Sequence, residues 1–474
     1  MVLNMKTYNK IILISLDTLR SDCIPYNPVK LYPNEYQIDT NLNDSALNRL
    51  VQESCFFNNT VSVAPYTSAS HAAYFTGSWP KNNGLYDQFN SRLRVSNLFE
   101  MAGANGYKTV FKTDFPFVLG KYLNLISGVD RYFVETESEP LDLVRNTDKV
   151  LAFFHFGQIH YPYGFHSLKF APVDYPNKLK ELEDRYSIKT ENINLEDMAV
   201  ETFRNKEDLE CLYRYKKIIS YLYRNKLDND LFNLYLEGIN YFHQHKFNSF
   251  LEQLLKIVKN ENYLLVIFSD HGEAWNEDTY GHHNSIDEGV IRVPMIFNAN
   301  DIDKQLYTNR VRTIDLFPTL QGFISGKDIY KNDGSSLSDI IFNKKEEKDR
   351  DAFSAVWVNE AKDVLENVKS IESKDSMTFR RRISVKYSAA YYKDNHKYIE
   401  NYRRFVNRSE HIEESFGNKL YQIKQLTNFN LTQDVQLKEQ LSKMIFQLND
   451  IKEEDANIPD ETLRKYFRLQ GYNI

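Results

Sequence analysis

The sequence predicts an α/β protein: a large, mostly parallel sheet flanked by helices, with a smaller α+β domain at its C-terminal end. Three observations carry that expectation. Short, uniformly apolar runs such as "KIILISL" (10–16) and "YLLVIFS" (263–269) alternate with amphipathic stretches, as strands buried on both faces by crossover helices must. The alternation stops after about residue 330, where "FRRRISVKYSAAYYKDNHKYIENY" changes to the two-residue period of antiparallel strands. A chain of 474 residues, 42% of them hydrophobic and 26% charged, is long enough for one large α/β unit with an appendage.

The elements follow in order. After the strand at 10–16, "SALNRLVQES" (45–54) reads as a helix, "VSNLFEMAGANG" as another, and "YKTVFKT" (107–113) as the strand it feeds. "KVLAFFHFG" (149–157) and "RVPMIFNA" (292–299) are further strands of the series, and "TIDLFPTLQGFI" (313–324) is the helix after the last. Charged and aromatic residues at helical spacing mark an insertion at about 165–230. The catalytic unit is therefore expected over 1–330 and the smaller α+β part over 331–474, ending in the amphipathic helix "VQLKEQLSKMIFQLNDI".

Bulk properties exclude several functions. A formal net charge of −6 gives no basic footprint, so nucleic acid is not the expected partner. Cys23, Cys55 and Cys211 are odd in number and widely spaced, which is neither a disulfide framework nor a zinc pattern. The apolar run "IILISL" is too short for a leader, and nothing approaches a membrane span. The expectation is a cytoplasmic protein; the sequence leaves a homo-oligomer open.

Chemistry gathers at predicted strand ends. Asp17 directly follows the first strand and Asp270 follows "YLLVIF" by two residues, which puts both at the carboxyl edge where open α/β folds bind ligands. With His271 next to Asp270, the pattern suits a divalent metal. His282 and His283 fall on a stretch flanked by Gly272 and Gly281, read as a loop at the same edge, with one of the pair functional. His160 sits past another strand, in a turn set by Pro162 and Gly164; His155, inside that strand, reads equally well as a core histidine. Arg20 and Asp22 pair with each other or touch substrate, and Glu273 braces its turn. Lys112 leaves a strand near the edge and is a candidate anion contact, a solvated lysine being the plainer reading.

Taken in order, these segments resemble the sulfatase branch of the alkaline phosphatase superfamily over about residues 8–325. "ISLDTLRSD" is similar to its first metal-binding strand, "APYTSASHAAYFTG" to its nucleophile helix, and "FFHFGQIHYPYG" to its "D-P-H-x-P-Y" segment. "SDHGEAWNEDTYGHHNSIDEGVIRVPMIF" and "TIDLFPTL" resemble the second metal segment and its sequel, and "NKLYQIKQL" its closing segment. The resemblance implies an alkaline phosphatase/sulfatase-like fold with Asp17, Asp270 and His271 as metal ligands and Thr67 as nucleophile and further ligand. His160 and His282 would contact the ester's oxygens and leaving group, and His71, where relatives have arginine, is a substrate-binding candidate together with His283.

The sequence departs from the family at the nucleophile. True sulfatases carry a cysteine or serine there, converted to formylglycine within C-x-P-S-R; Thr67-Ser68-Ala69-Ser70-His71 cannot make that conversion. The departures resemble threonine-nucleophile members, which act on phosphate esters or phosphonates. The expectation is a hydrolase cleaving small or glycan-linked anionic esters through a covalent Thr67 intermediate. A sulfuric ester hydrolase and a phospho-alcohol transferase acting on a glycan are its alternatives. One divalent ion is expected, Mn²⁺ or Zn²⁺ ahead of Ca²⁺ or Mg²⁺ on the strength of the histidine, and no formylglycine. A second ion would draw on His283 or Asp22, which do not complete a ligand set.

Overall fold

The computed structural model describes residues 6–32, 38, 40–88, 91–116, 118–160, 163, 175–188, 206–276, 279–326, 330–359, 384–407, 410–425 and 428–451. The apolar runs form strands as expected: β1 (Lys10–Leu16), β2 (Cys55–Val61), β3 (Lys108–Thr113), β4 (Arg131–Val134), β5 (Val150–Phe156) and β6 (Tyr263–Phe268). A short hairpin, β7 (Ala274–Asn276) and β8 (Thr279–Gly281), precedes β9 (Arg292–Asn298), β10 (Gln305–Tyr307) and β11 (Val311–Arg312). In the large sheet the order is β10-β2-β9-β6-β1-β5-β3-β4, with β11 also on β2.

Central β1 lies parallel to both β5 and β6, which places Ser15 opposite His155 and Phe268. Its side chains alternate between two cores: Ile11 and Leu13 face one, and Ile12, Ile14 and Leu16 the other. β9 departs from the parallel series and runs antiparallel to both β6 and β2. The cause is topological. Between β6 and β9 the chain stays at the carboxyl edge, in the hairpin and the short helix Glu288–Ile291, with no crossover to carry it back to the other end.

Helices cover both faces. One core takes the helices Thr67–Thr76, Leu98–Ala104 and Leu316–Ser325; the other takes Lys206–Arg224, Asp228–Phe242 and Asn248–Val258. Of the expected insertion at 165–230, residues 164–174 and 189–205 lie outside the described residues, as do Pro162 and Gly164. Its described helices, Tyr175–Tyr186 and Lys206–Arg224, pack on each other and on the helix Asp228–Phe242, and join that core through Leu179, Ile218 and Leu222.

The C-terminal part is an antiparallel sheet of β12 (Ala352–Asn359), β13 (Ser384–Lys393), β14 (His396–Asn407), β15 (Glu410–Gln425) and β16 (Asn428–Leu431), in that order. The helix Val435–Asn449 packs against it through Leu441 and Ile445. This α+β layer has no core of its own among the described residues: Phe353, Val356, Tyr392 and Leu420 join the same cluster as Val61, Tyr66 and Ala72 of the large sheet's flank. A main-chain bond from Ala355 N to Val63 O (2.9 Å) ties the two parts together.

A buried ion network adds to that tie. Glu288 accepts from Lys397 Nζ at 2.6 Å and from the Tyr392 hydroxyl, both on the C-terminal sheet, and from Arg292 Nε at 3.0 Å. Burial alone would raise this carboxyl, but Lys397 and Arg292 outweigh it and hold the group down to about 2, against an ordinary 4.5. A depressed folded-state value contributes stability that is complete above the unfolded value and lost as pH falls toward the folded one. Glu288→Gln is therefore expected to be less stable than wild type at pH 7, by on the order of 3 kcal/mol. Urea melts should show the gap closing as pH falls from about 4.5 to about 2; a gap independent of pH would contradict the network.

Candidate active site

Because β1 and β6 are neighbours, the residues leaving their carboxyl ends meet. Asp17 and Asp270 are both fully buried there. Thr18 adopts φ +66°, a left-handed conformation that a β-branched residue enters only under constraint. That turn brings Thr18 N to 3.3 Å from Asp270 Oδ1 while its hydroxyl donates to Asp17 Oδ1 at 2.8 Å. Tyr235, on the helix Asp228–Phe242, donates to Thr18 O (2.7 Å) and accepts from Arg20 N (3.1 Å), fixing the turn from behind.

Thr67 is the first residue of its helix, and its hydroxyl lies 3.3 Å from Asp17 Oδ2. The Tyr66 side chain does not cap that helix start, which leaves the first N–H groups without the usual side-chain acceptor. The neighbouring serines are turned away. Ser68 Oγ donates to Asp87 O and Gln88 O (both 3.2 Å), and Ser70 Oγ donates to Asp270 O at 2.7 Å. The hydroxyl-rich sequence therefore anchors the helix start and the Asp270 loop and leaves the Thr67 hydroxyl facing the carboxylates.

His271 Nδ1 sits 3.0 Å from Gly272 O, a carbonyl that only accepts, so this nitrogen carries the proton and Nε2 presents its lone pair. Nε2 is 3.5 Å from both Asp17 Oδ1 and Asp270 Oδ2. Gly272 is required here: a Cβ would meet Gly289 O at 2.1 Å, where the loop doubles back on the chain before β9. His155, not among the residues the sequence assigned to the site, belongs to it: Nε2 donates to Asp17 Oδ2 at 3.0 Å, and Nδ1 lies 3.3 Å from the Thr113 hydroxyl.

The stretch after Gly272 is not a plain loop. Trp275 pairs with Tyr280 in the β7–β8 hairpin, which returns the chain and stacks His282 on His271 with ring centroids 4.3 Å apart. His282 Nδ1 lies 3.1 Å from both oxygens of buried Glu273. His160 and His283 adjoin it, their ring centroids 4.8 and 4.0 Å from that of His282, and His283 is exposed.

Two expected contacts, His71 and Lys112, fall elsewhere. His71 is wholly buried beneath the helix, with Nδ1 donating to Thr67 O (2.7 Å) and Nε2 accepting from Ser15 Oγ (2.9 Å). It props the nucleophile's main chain and is out of substrate's reach. Lys112 is also buried, bonded to Asp114 (2.7 Å), Glu137 (2.9 Å) and His155 O (2.9 Å), because its strand ends beneath the edge rather than on it. Asp22 pairs with Arg20 through two bonds, at 2.9 and 2.7 Å, and is not a spare metal ligand.

Electrostatics follow burial. Desolvation, with the Asp17 charge, pushes Asp270 well above the usual carboxylate range. Asp17 would rise for the same reason, but the His155 hydrogen bond, first among its neighbouring imidazoles, holds it well below. Burial, reinforced by His155, lowers His71 to about 3, and burial lowers His271 against the pull of Asp17. These imidazoles are neutral at pH 7 and able to ligate.

Comparison with known proteins gives the family and the fold. The sulfatase family profile matches residues 9–325. The chain belongs to the sulfatase family of ester hydrolases. It is 24% identical over 365 residues to an ulvan-active sulfatase from Formosa agariphila, covering 67% of this chain but only 64% of that protein's length. Its fold matches the phosphonate monoester hydrolase of Silicibacter pomeroyi (TM-score 0.59, 14% identity, 93% of this chain and 94% of that one). It also matches a putative sulfatase from Bacteroides thetaiotaomicron (TM-score 0.54, 16% identity, 94% and 92%).

A family member of this kind is expected to hold a divalent ion, and the residues fit one. Asp17, Asp270 and His271 can each offer a ligand atom within 4.8 Å of the others. Asp270 Oδ2 and His271 Nε2 are buried without a hydrogen-bond partner among the described residues, which a native interior tolerates only where something fills the gap. His155, holding Asp17 from outside the set, then orients a ligand. His155→Ala is expected to weaken zinc binding by about 10- to 100-fold in a chelator competition, with the circular dichroism spectrum retained. An unchanged Kd would reduce His155 to packing.

Proposed function

We propose that this chain is a metal-dependent hydrolase of phosphate or phosphonate esters that works through a covalent Thr67 intermediate. The observation that carries the reading is the placement of the Thr67 hydroxyl at an uncapped helix start, 3.3 Å from Asp17 and beside Asp270 and His271. A divalent ion held by Asp17, Asp270 and His271 supplies the Lewis acidity that makes a threonine hydroxyl reactive near neutral pH. The remaining steps belong to the chain. The helix start directs N–H groups at the ester's anionic oxygens. Thr67 Oγ loses its proton to solvent and attacks phosphorus as the ester oxygen leaves, and His160 protonates that oxygen. Water then attacks the same phosphorus and releases Thr67.

The identity of the nucleophile supports phosphorus. A threonine retains its methyl group and a single oxygen, so the intermediate can be resolved only by a second displacement at the central atom. Cleavage of a sulfuric ester is the second reading, favoured by the likeness to an ulvan-active sulfatase. The substrate class we infer is a small or glycan-linked anionic ester.

Turnover of nitrophenyl phosphate, bis-nitrophenyl phosphate, nitrophenyl phenylphosphonate and nitrophenyl sulfate separates the readings. A phosphorus ester is expected to be the best substrate, and Thr67→Ala to lower its kcat by about 10³-fold or more. Sulfate turnover above every phosphorus ester would sink the substrate assignment alone; full activity in Thr67→Ala would sink the mechanism.

A further inference from the structure

The turn that delivers His160 is held from the neighbouring strand. It runs from Gly157 to His160 just past β5 and is closed by a main-chain bond from His160 N to Gly157 O at 3.2 Å. Beside it, at the end of β3, one carboxylate takes up two of the turn's donors. Asp114 Oδ2 accepts from Gly157 N at 3.1 Å and from Gln158 Nε2 at 2.6 Å. Phe115, the next residue, covers the same turn. A Cβ at Gly157 would meet its ring at 2.5 Å, and its centroid is 5.2 Å from that of His160.

Asp114 is itself pinned. Lys112 Nζ donates to its Oδ1 at 2.7 Å and to His155 O at 2.9 Å. Glu137 lies 2.9 Å from Lys112 and 2.9 Å from Lys246, so two cations face two anions in this buried group. Burial would raise the Asp114 carboxyl, but the charge of Lys112, followed by that of Lys246, holds it well below the usual range and the group stays ionised. Lys112, Gly157 and Gln158 all donate to it, and only a carboxylate accepts through both oxygens.

We propose that Asp114 is a positioning residue for the departure of the leaving group: through Gly157 N and Gln158 it holds the turn that sets the His160 ring at the departing oxygen. The inference rests on His160 as the acid that protonates that oxygen. A displaced acid costs most when the leaving oxygen departs poorly as an anion, whereas a general loosening of the fold costs every ester alike. The dependence of rate on leaving group therefore separates positioning from packing.

Aryl esters of whichever acid the enzyme cleaves best, with leaving groups from dinitrophenol to phenol, provide the test. The readout is kcat/KM, which reports the first displacement whatever the rate of the second. Asp114→Asn sets an amide NH₂ against a donor in either orientation. It is expected to lower kcat/KM for the phenyl ester by about 10- to 100-fold more than for the dinitrophenyl ester. His160→Ala should steepen the dependence in the same way, and adding Asp114→Asn to it should cost little more. If Asp114→Asn does not fold, Gln158→Met, which removes one donor at similar volume, decides in its place: a steeper dependence supports the proposal and the parental one overturns it. An equal loss across the series, or full additivity with His160→Ala, would overturn the role of Asp114 and leave that of His160 standing. A parental dependence in His160→Ala would overturn the assignment of His160, and the proposal with it.

Discussion

Two carboxylates with no exposure to water share one edge of the sheet, and much of the surrounding structure answers that fact. Like charges in a low-dielectric interior repel strongly, so an Asp17–Asp270 pair persists only with compensation built around it. His155 bonds Asp17, His271 lies between the two carboxylates, and His71 Nδ1 is 3.7 Å from Asp270 Oδ2. The backbone contributes as well. Thr18 accepts a strained conformation and in exchange directs its N–H at Asp270. Ser62 and Ser70 both donate to Asp270 O at 2.7 Å, which fixes the aspartate's main chain while its outer oxygen stays open to an ion.

The same edge explains why distant parts of the chain are needed. Tyr66 immediately precedes the nucleophile, and its hydroxyl accepts from Trp357 N (3.3 Å) on the C-terminal sheet while donating to Tyr86 O. The segment leading out of the histidine turn is held by Glu288, whose partners Lys397 and Tyr392 come from that sheet too. On the other face Tyr235 supports Thr18. The C-terminal layer thus shares a core with the catalytic sheet and braces two of the turns that carry the chemistry.

How much of this was legible in the sequence depends on the kind of signal. Asp17, Asp270 and His271 stand at junctions of apolar runs, and junctions of parallel strands converge, so position assembled them; Thr67 was legible only through the resemblance of its helix to a family's nucleophile helix. His155 was ambiguous because every side chain of β5 is buried; no alternation marks which of its residues faces the edge, and only its register opposite Ser15 does so. Lys112 read as a surface cation because Glu137, and the Lys246 that shares it, come from distant parts of the chain, although Asp114 lies only two residues on. Three residues are too few to show a strand period, so the β7–β8 hairpin was hidden and His282 and His283 looked like alternatives. With the hairpin in place they converge with His160.

The pairing of the fixed cations also bears on what the site can recognise. Arg20 is wholly buried against Asp22, and Lys112 is neutralised by Asp114 and Glu137. Burial, with help from its neighbouring imidazoles, keeps His282 well below its usual value, so it adds no charge at pH 7. With these groups paired, the helix start at Thr67 and a cation held by Asp17, Asp270 and His271 would attract an anionic ester, and their effect grows with the charge on the ester. A phosphate monoester carries about twice the charge of a sulfate ester near neutral pH, as the second ionisation of a phosphate lies near 6. Positive potential of that kind would favour a phosphate monoester over a sulfate ester, and would not separate a singly charged phosphonate ester from a sulfate ester.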